Sequence, residues 1–200
     1  MMPDGMTLPA PLQPTLAVRL FRPLGRLWLK ANGWHIEGEM PNLPKFIIVA
    51  APHSSNWDLP YVLAAALHYG IRVHWMGKSS IFKWPFGGLM RWLGGIAVDR
   101  SKANNAVDGM VARFTESGRL VLVIPPEGTR GKVDRWRSGF YHIAVGAKIP
   151  LALGFLDYKR KAAGIARVFY PTGNYEADLA EIQAFYATVT ARHPNRDAKA

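Results

Sequence analysis

Between residues 46 and 157 the chain alternates short apolar runs with segments of helical length, and few folds accommodate that alternation. Phe46–Ala51, Val73–Met76, Ile96–Val98, Leu120–Ile124 and Leu151–Asp157 are apolar at nearly every position rather than at every second one. Such runs suit strands covered on both faces, as in a parallel sheet. The intervening segments Trp57–Tyr69, Ser80–Leu93, Asn104–Glu116 and Gly139–Gly146 read as helices, the first with Asn56 as its N-cap and Asp58 and Pro60 in its first turn. Strand and helix in alternation imply right-handed crossovers. The expected fold is therefore α/β, a mainly parallel central sheet covered by helices on both faces. His35–Glu39 and Ala166–Tyr170 add strands, and Glu176–Ala191 reads as a closing helix. Residues 1–14 are rich in proline and are expected to form a disordered leader, residues 15–34 a basic amphipathic helix, and residues 35–200 a single domain without internal repeats.

Composition narrows the partners. The chain carries 25 Lys and Arg against 14 Asp and Glu, a formal charge of +11. That balance favours a polyanionic partner: nucleic acid, anionic lipid or a phosphorylated substrate. No zinc finger, RNA-recognition signature or long basic run is present, and the basic residues stand beside apolar and aromatic ones, which suits a membrane surface better than nucleic acid. Cysteine is absent, which removes thiolate nucleophiles, disulfides and Cys-ligated zinc. No run of about 18 apolar residues occurs, so no transmembrane helix is expected. In the segment 15–34, Leu16, Leu20, Phe21, Leu24, Leu27 and Trp28 recur at helical spacing, with Arg19, Arg22, Arg26 and Lys30 on the remaining arc and Pro23 within. Such a helix can lie in the interface of an anionic bilayer or cover the sheet, and the spacing alone leaves both open.

Three polar clusters each follow an apolar run: His53-Ser-Ser-Asn-Trp-Asp58, Asp99-Arg100 and Glu127-Gly-Thr-Arg130. Their common placement predicts one site at the carboxyl edge of the sheet, where open α/β folds bind ligands. Five positions apart on a regular helix, His53 and Asp58 would not share a face, so the histidine belongs in the turn before the helix, reaching back to the aspartate. A histidine oriented by a carboxylate is a general base. No G-x-S-x-G elbow surrounds Ser54 or Ser55, which therefore read as turn residues rather than nucleophiles. Arg100 and Arg130 suit phosphate recognition, because guanidinium forks bind phosphate oxygens in pairs. Lys78, Lys132, Arg135 and Arg137 widen the basic field.

In order, His53-x4-Asp58, Gly95-Ile-Ala-Val-Asp-Arg100, Glu127-Gly-Thr-Arg130 and Ile149-Pro150-Leu151 resemble the four blocks of the glycerolipid acyltransferases, of which the 1-acylglycerol-3-phosphate acyltransferases are the best known. The resemblance covers residues 45 to 160; the third block departs mildly, opening with Pro125-Pro126 where the family has Phe-Pro. It implies transfer of a fatty acyl group from acyl-CoA or acyl carrier protein to a lysophospholipid, most directly 1-acyl-glycerol-3-phosphate, by His53 and Asp58. It assigns Arg100, Glu127, Gly128, Thr129 and Arg130 to the phosphate-bearing acceptor and Pro150 to the acyl or acceptor pocket. No metal and no resident cofactor are implied, and the expected location is peripheral, on the cytoplasmic face of an anionic membrane. The readings left beside it are an acyltransferase for another lysolipid, such as a lyso-ornithine lipid, a lipid or thioester hydrolase, and a membrane-binding module.

Overall fold

The computed structural model describes residues 16–98, 103–128 and 135–193. The leader expected over residues 1–14 lies outside them. In chain order the elements are α1 (Leu16–Ala31), β1 (His35–Glu37), β2 (Lys45–Ala50), α2 (Asp58–Tyr69), β3 (His74–Lys78), a 3-10 turn (Ser79–Phe82), α3 (Gly87–Trp92), β4 (Gly95–Val98), α4 (Ala103–Glu116), β5 (Leu120–Ile124), α5 (Gly139–Ala147), β6 (Leu151–Asp157), β7 (Ala162–Phe169) and α6 (Tyr175–Tyr186). The strands form one sheet of seven, ordered β1-β7-β6-β2-β5-β3-β4. Strands β2 to β6 run parallel, while β7 turns back antiparallel to β6 and carries β1 parallel to itself.

The apolar runs behave as expected of buried strands. In β2, Ile47 and Val49 face α4, α5 and α6 together with Leu122, Leu151 and Leu153. Phe46 and Ile48 face the other way with Val121, Val123 and Ala152, under Ala66 of α2. Each such side chain is worth about 1.5–3 kcal/mol when fully buried. Helix α2 stops where Gly70 enters the left-handed region at φ 77° and its N–H reaches back to Ala66 and Leu67.

Three details differ from the sequence reading. The segment Ser80–Leu93 is a 3-10 turn and a short helix rather than one helix. Helix α6 ends at Tyr186, and residues 187–193 run on without helix. Strand β7 begins at Ala162, four residues before its expected start. Its opening Ala162-Ala163-Gly164 is too small to read as an apolar strand, yet small residues are what β1 requires: a Cβ at Gly164 would collide with the carbonyl of Glu37.

Helix α1 divides its surface into three sectors. Val18, Gly25 and Leu29 are buried. Gly25 lets the helices touch, since a Cβ there would lie 2.7 Å from Leu67 Cβ and 2.9 Å from the Ala64 carbonyl. Arg22 donates from Nε to the His68 carbonyl at the end of α2, at 3.0 Å, where a cation also meets the negative end of the helix dipole. The apolar stripe of Leu16, Leu20, Leu24 and Leu27 faces outward, each more than half exposed. The helix thus docks on α2 and, among the described residues, leaves its leucine face exposed. Replacing Gly25 by Leu should force α1 off α2; overpacking of this kind costs about 1–3 kcal/mol, readable as a lowered midpoint in urea unfolding.

Candidate active site

Past Ala50 the chain leaves the sheet and crosses to α2 through an irregular turn, residues 51–55. Asp58, the first residue of α2, organises that turn. Its Oδ2 accepts from the backbone N–H groups of Ser54 and Ser55, both at 3.1 Å. The same oxygen meets His53 Nδ1 at 2.9 Å. Its Oδ1 accepts from the Tyr158 hydroxyl at 2.7 Å. The expected Asn56 cap is not formed: the N-cap position is Trp57, no side chain caps the helix there, and Asn56 is exposed. The carboxylate of Asp58 instead folds back onto the turn, where the positive end of the helix favours it.

His53 therefore stands in the turn ahead of α2, as its spacing required. With Nδ1 facing a carboxylate, that nitrogen carries the proton and Nε2 holds the lone pair. The imidazole keeps 27% of its side-chain surface accessible, while Asp58 keeps 5%. A buried orienter behind a partly open base is the arrangement that proton abstraction needs.

Glu127 arrives from the loop after β5 and accepts the His53 backbone N–H through Oε1 at 3.2 Å. Gly128 follows at φ +65°, and a Cβ there would sit 2.7 Å from the Arg137 side chain. Glu127 is thus tied to the turn that carries His53. Below both, Tyr186 donates from α6 to the carbonyls of Val49 at 2.6 Å and Gly154 at 3.0 Å, tying α6 to the end of β2 and the middle of β6. Complete burial, with the Glu127 charge, pushes its phenol well above the ordinary range, so it remains a donor.

The two serines are structural. Ser54 Oγ accepts the His193 N–H at 3.3 Å, Ser55 Oγ accepts the Trp57 N–H at 3.2 Å, and both residues are buried. The amides of residues 53, 54 and 55 all point at carboxylates. They are committed, and so do not form an oxyanion hole.

A cavity of about 1110 Å³ opens beside His53, above the about 300–1,000 Å³ common for small-molecule sites. Its walls are mostly apolar, including Ile48, Ala66, Val73 and Ile143, with Lys78 and Arg137 as cations on the lining. Arg100, Thr129 and Arg130 lie outside the described residues. Pro150 sits at the opposite end of β6, buried, its carbonyl accepting the Ile47 N–H, and it does not line this cavity. Tyr158 and Tyr186, both touching the site, escaped the sequence reading because nothing local distinguishes them: the Tyr158–Asp58 contact spans 100 positions. Among the described residues no group of three or more His, Cys, Asp or Glu could hold a metal ion.

Comparison with known proteins places these residues in context. The family described as Acyltransferase matches residues 35–152. The 1-acyl-sn-glycerol-3-phosphate acyltransferase of Haemophilus influenzae is 29% identical over 137 residues, 64% of this chain and 55% of that protein. The proteins of the same name from Salmonella typhimurium and coconut (Cocos nucifera) are 32% identical over 111 residues and 29% over 131, covering 52% and 62% of this chain and 44% and 41% of theirs. The chain thus spans about half the length of the curated relatives it matches. The crystal structure of the 1-acyl-sn-glycerophosphate acyltransferase from Thermotoga maritima shares the fold, with a TM-score of 0.59 at 20% identity over 84% of this chain and 76% of that one.

Asp58→Asn should expose how much of the turn this carboxylate holds. The carboxamide keeps the volume but offers one acceptor oxygen in place of two, and turns an N–H₂ toward donors. A loss of about 1–3 kcal/mol is expected for the buried donors left unpaired, measurable by urea unfolding. Imidazole ¹⁵N shifts should report the loss of the Nδ1-protonated tautomer.

Proposed function

The chain belongs to the acyltransferase family, and on that premise we propose that it transfers a fatty acyl group from an acyl thioester to the hydroxyl of a lysophospholipid. The observation that carries the proposal is the 2.9 Å contact of His53 Nδ1 with Asp58 at the carboxyl edge of the sheet, beside a large apolar cavity. His53 Nε2 takes the proton of the acceptor hydroxyl as its oxygen attacks the thioester carbonyl. The new C–O bond forms, the C–S bond breaks, and the imidazolium returns its proton to the departing thiolate. A thiolate is a good leaving group, with an ordinary thiol pKa near about 8.5, so one base suffices. Asp58 keeps the tautomer and stabilises the transient imidazolium.

The apolar walls of the cavity suit an acyl chain, and its cations suit an anionic head group. The acceptor we favour is 1-acyl-glycerol-3-phosphate, with acyl-CoA or acyl carrier protein as donor. On the family resemblance, Arg100, Glu127, Gly128, Thr129 and Arg130 hold the acceptor. The bond between Glu127 and the His53 amide supports this for Glu127. Among the described residues no helix is long and apolar enough to cross a membrane. We propose a peripheral attachment through α1, whose leucines are exposed and whose Phe21 packs edge-on against Trp92 of α3 at 5.9 Å. Trp84, Phe86 and Leu89 continue that surface, Trp84 being 93% exposed. The basic sector of Arg19, Arg26 and Lys30 flanks the apolar one, the order expected of a helix in an anionic interface.

Mass spectrometry of products from a panel of lysolipids, each offered acyl-CoA and acyl carrier protein, should find the diacyl product with the phosphate-bearing acceptor; free fatty acid alone would mark a hydrolase. His53→Ala should fold and lose roughly 10²–10⁴ of turnover. Binding to anionic vesicles should weaken with rising salt, and replacing Leu20 and Leu24 by Ser should weaken it further while activity on a short-chain soluble acceptor persists. Unchanged sedimentation of that variant with vesicles would dismiss α1 as the contact.

A further inference from the structure

Tyr158 stands where strand β6 overshoots β2. The β2–β6 pairing ends at Ala50 and Gly154, and β6 then continues to Asp157. The turn after it is held rigid. Asp157 accepts the N–H groups of Lys159 and Arg160 at 3.0 Å through Oδ1, and Arg160 Nε at 3.0 Å through Oδ2. Burial opposes the charge of Asp157, but these donors outweigh it and hold the carboxyl below its usual range. The Tyr158 N–H is bonded to the Thr190 carbonyl at 2.9 Å. Its ring meets Trp34 edge-on at 4.9 Å and Tyr61 at 5.9 Å. The hydroxyl is therefore presented by a fixed backbone and a fixed ring.

The segment after α6 completes the arrangement. Arg192 lies over the Tyr158 ring at 5.6 Å and over Trp57 at 5.3 Å. The next residue, His193, reaches Ser54 Oγ through its N–H. Burial, followed by the bond to Asp58, pushes the phenol far above its ordinary range, so it keeps its proton and donates.

We propose that Tyr158 is a positioning residue for the base: its hydroxyl fixes the Asp58 carboxylate so that Oδ2 is held for His53 Nδ1, with the positive charge of Arg192 over the ring making the phenol a better donor. The inference rests on the acyltransferase reading above. Tyr158 occupies Oδ1, while Oδ2 serves the turn amides and the imidazole. Without the phenol the carboxylate is free to rotate and share Oδ1 with the imidazole. Its negative charge is also less dispersed, which favours the protonated imidazole. Donors in such a chain strengthen one another. Among the described residues, the charged and titratable groups around the base are Asp58, Glu127 at its backbone N–H, Tyr158, Arg192 and His193.

The test uses the full chain with 1-acyl-glycerol-3-phosphate and acyl-CoA. Tyr158→Phe keeps the ring packing and should retain a cooperative thermal transition. We expect kcat to fall roughly tenfold, the size of one hydrogen bond to a charged group, with both KM values within about twofold of the parent. The acid limb of the kcat profile should move to higher pH, since less of the base is in its neutral form at a given pH. Arg192→Gln should move the limb in the same direction with a smaller loss, and it keeps the idea testable should Tyr158→Phe fold poorly. In a His53→Ala background, Tyr158→Phe should add nothing, because the two act through one unit. Parental kcat and pH profile in both single variants would overturn the proposal, as would a Tyr158→Phe loss that persists in full without His53. If His53→Ala itself keeps parental turnover, the base assignment fails instead, which separates the two failures.

Discussion

A single buried carboxylate holds this site together. Asp58 gathers the amides of Ser54 and Ser55, the imidazole of His53 and the phenol of Tyr158. A buried acceptor of this kind is costly when unpaired and strong when fully paired. Its position at the start of α2 matters as much as its partners, because the helix end favours negative charge. The turn between β2 and α2 has no regular ladder to shape it, so the carboxylate takes over that role. Orienting the histidine and folding the turn are consequently the same interaction. That is why Asp58→Asn is expected to lower stability as well as spoil the tautomer.

Around that centre, three separate parts of the chain are tied by hydrogen bonds rather than by apolar contact alone. Glu127 fastens the loop after β5 to His53, Tyr186 fastens α6 to the end of β2 and the middle of β6, and the segment after α6 reaches Ser54 and Tyr158. The apolar interior makes the sheet rigid but is indifferent to small shifts at its edge. Directional bonds are what hold a base to within a fraction of an ångström. The same division appears on α1, where Val18, Gly25 and Leu29 seat the helix on α2 and leave its leucine stripe for another surface.

Much of the fold could be read along the chain. The fully apolar runs announced strands buried on both faces, and Ile47, Val49, Phe46 and Ile48 divide between the two faces as the period of two demands. The failures share a cause. Ala162-Ala163-Gly164 carries no apolar bulk, so β7 was legible only from Ala166 onward, although its small residues are what admit β1. Asn56 had the right chemistry for a cap but not the right backbone position. Both depend on a neighbour that the local sequence does not contain.

By itself the sequence determined the buried strands of the parallel sheet, the sheet edge that carries His53 and Glu127, and the need for His53 to precede the helix that begins at Asp58. Those follow from periodicity and from the spacing of residues close along the chain, where backbone geometry leaves little choice. Only the tertiary structure decided that Tyr158 completes Asp58, that the amides of Ser54 and Ser55 are committed to that carboxylate, and that Pro150 lies away from the cavity. Contacts between residues 100 positions apart depend on where the strands end relative to one another. Here β6 outruns β2 by three residues, Phe155 to Asp157, and that register, set by packing across the whole sheet, leaves no mark on the residues it brings together.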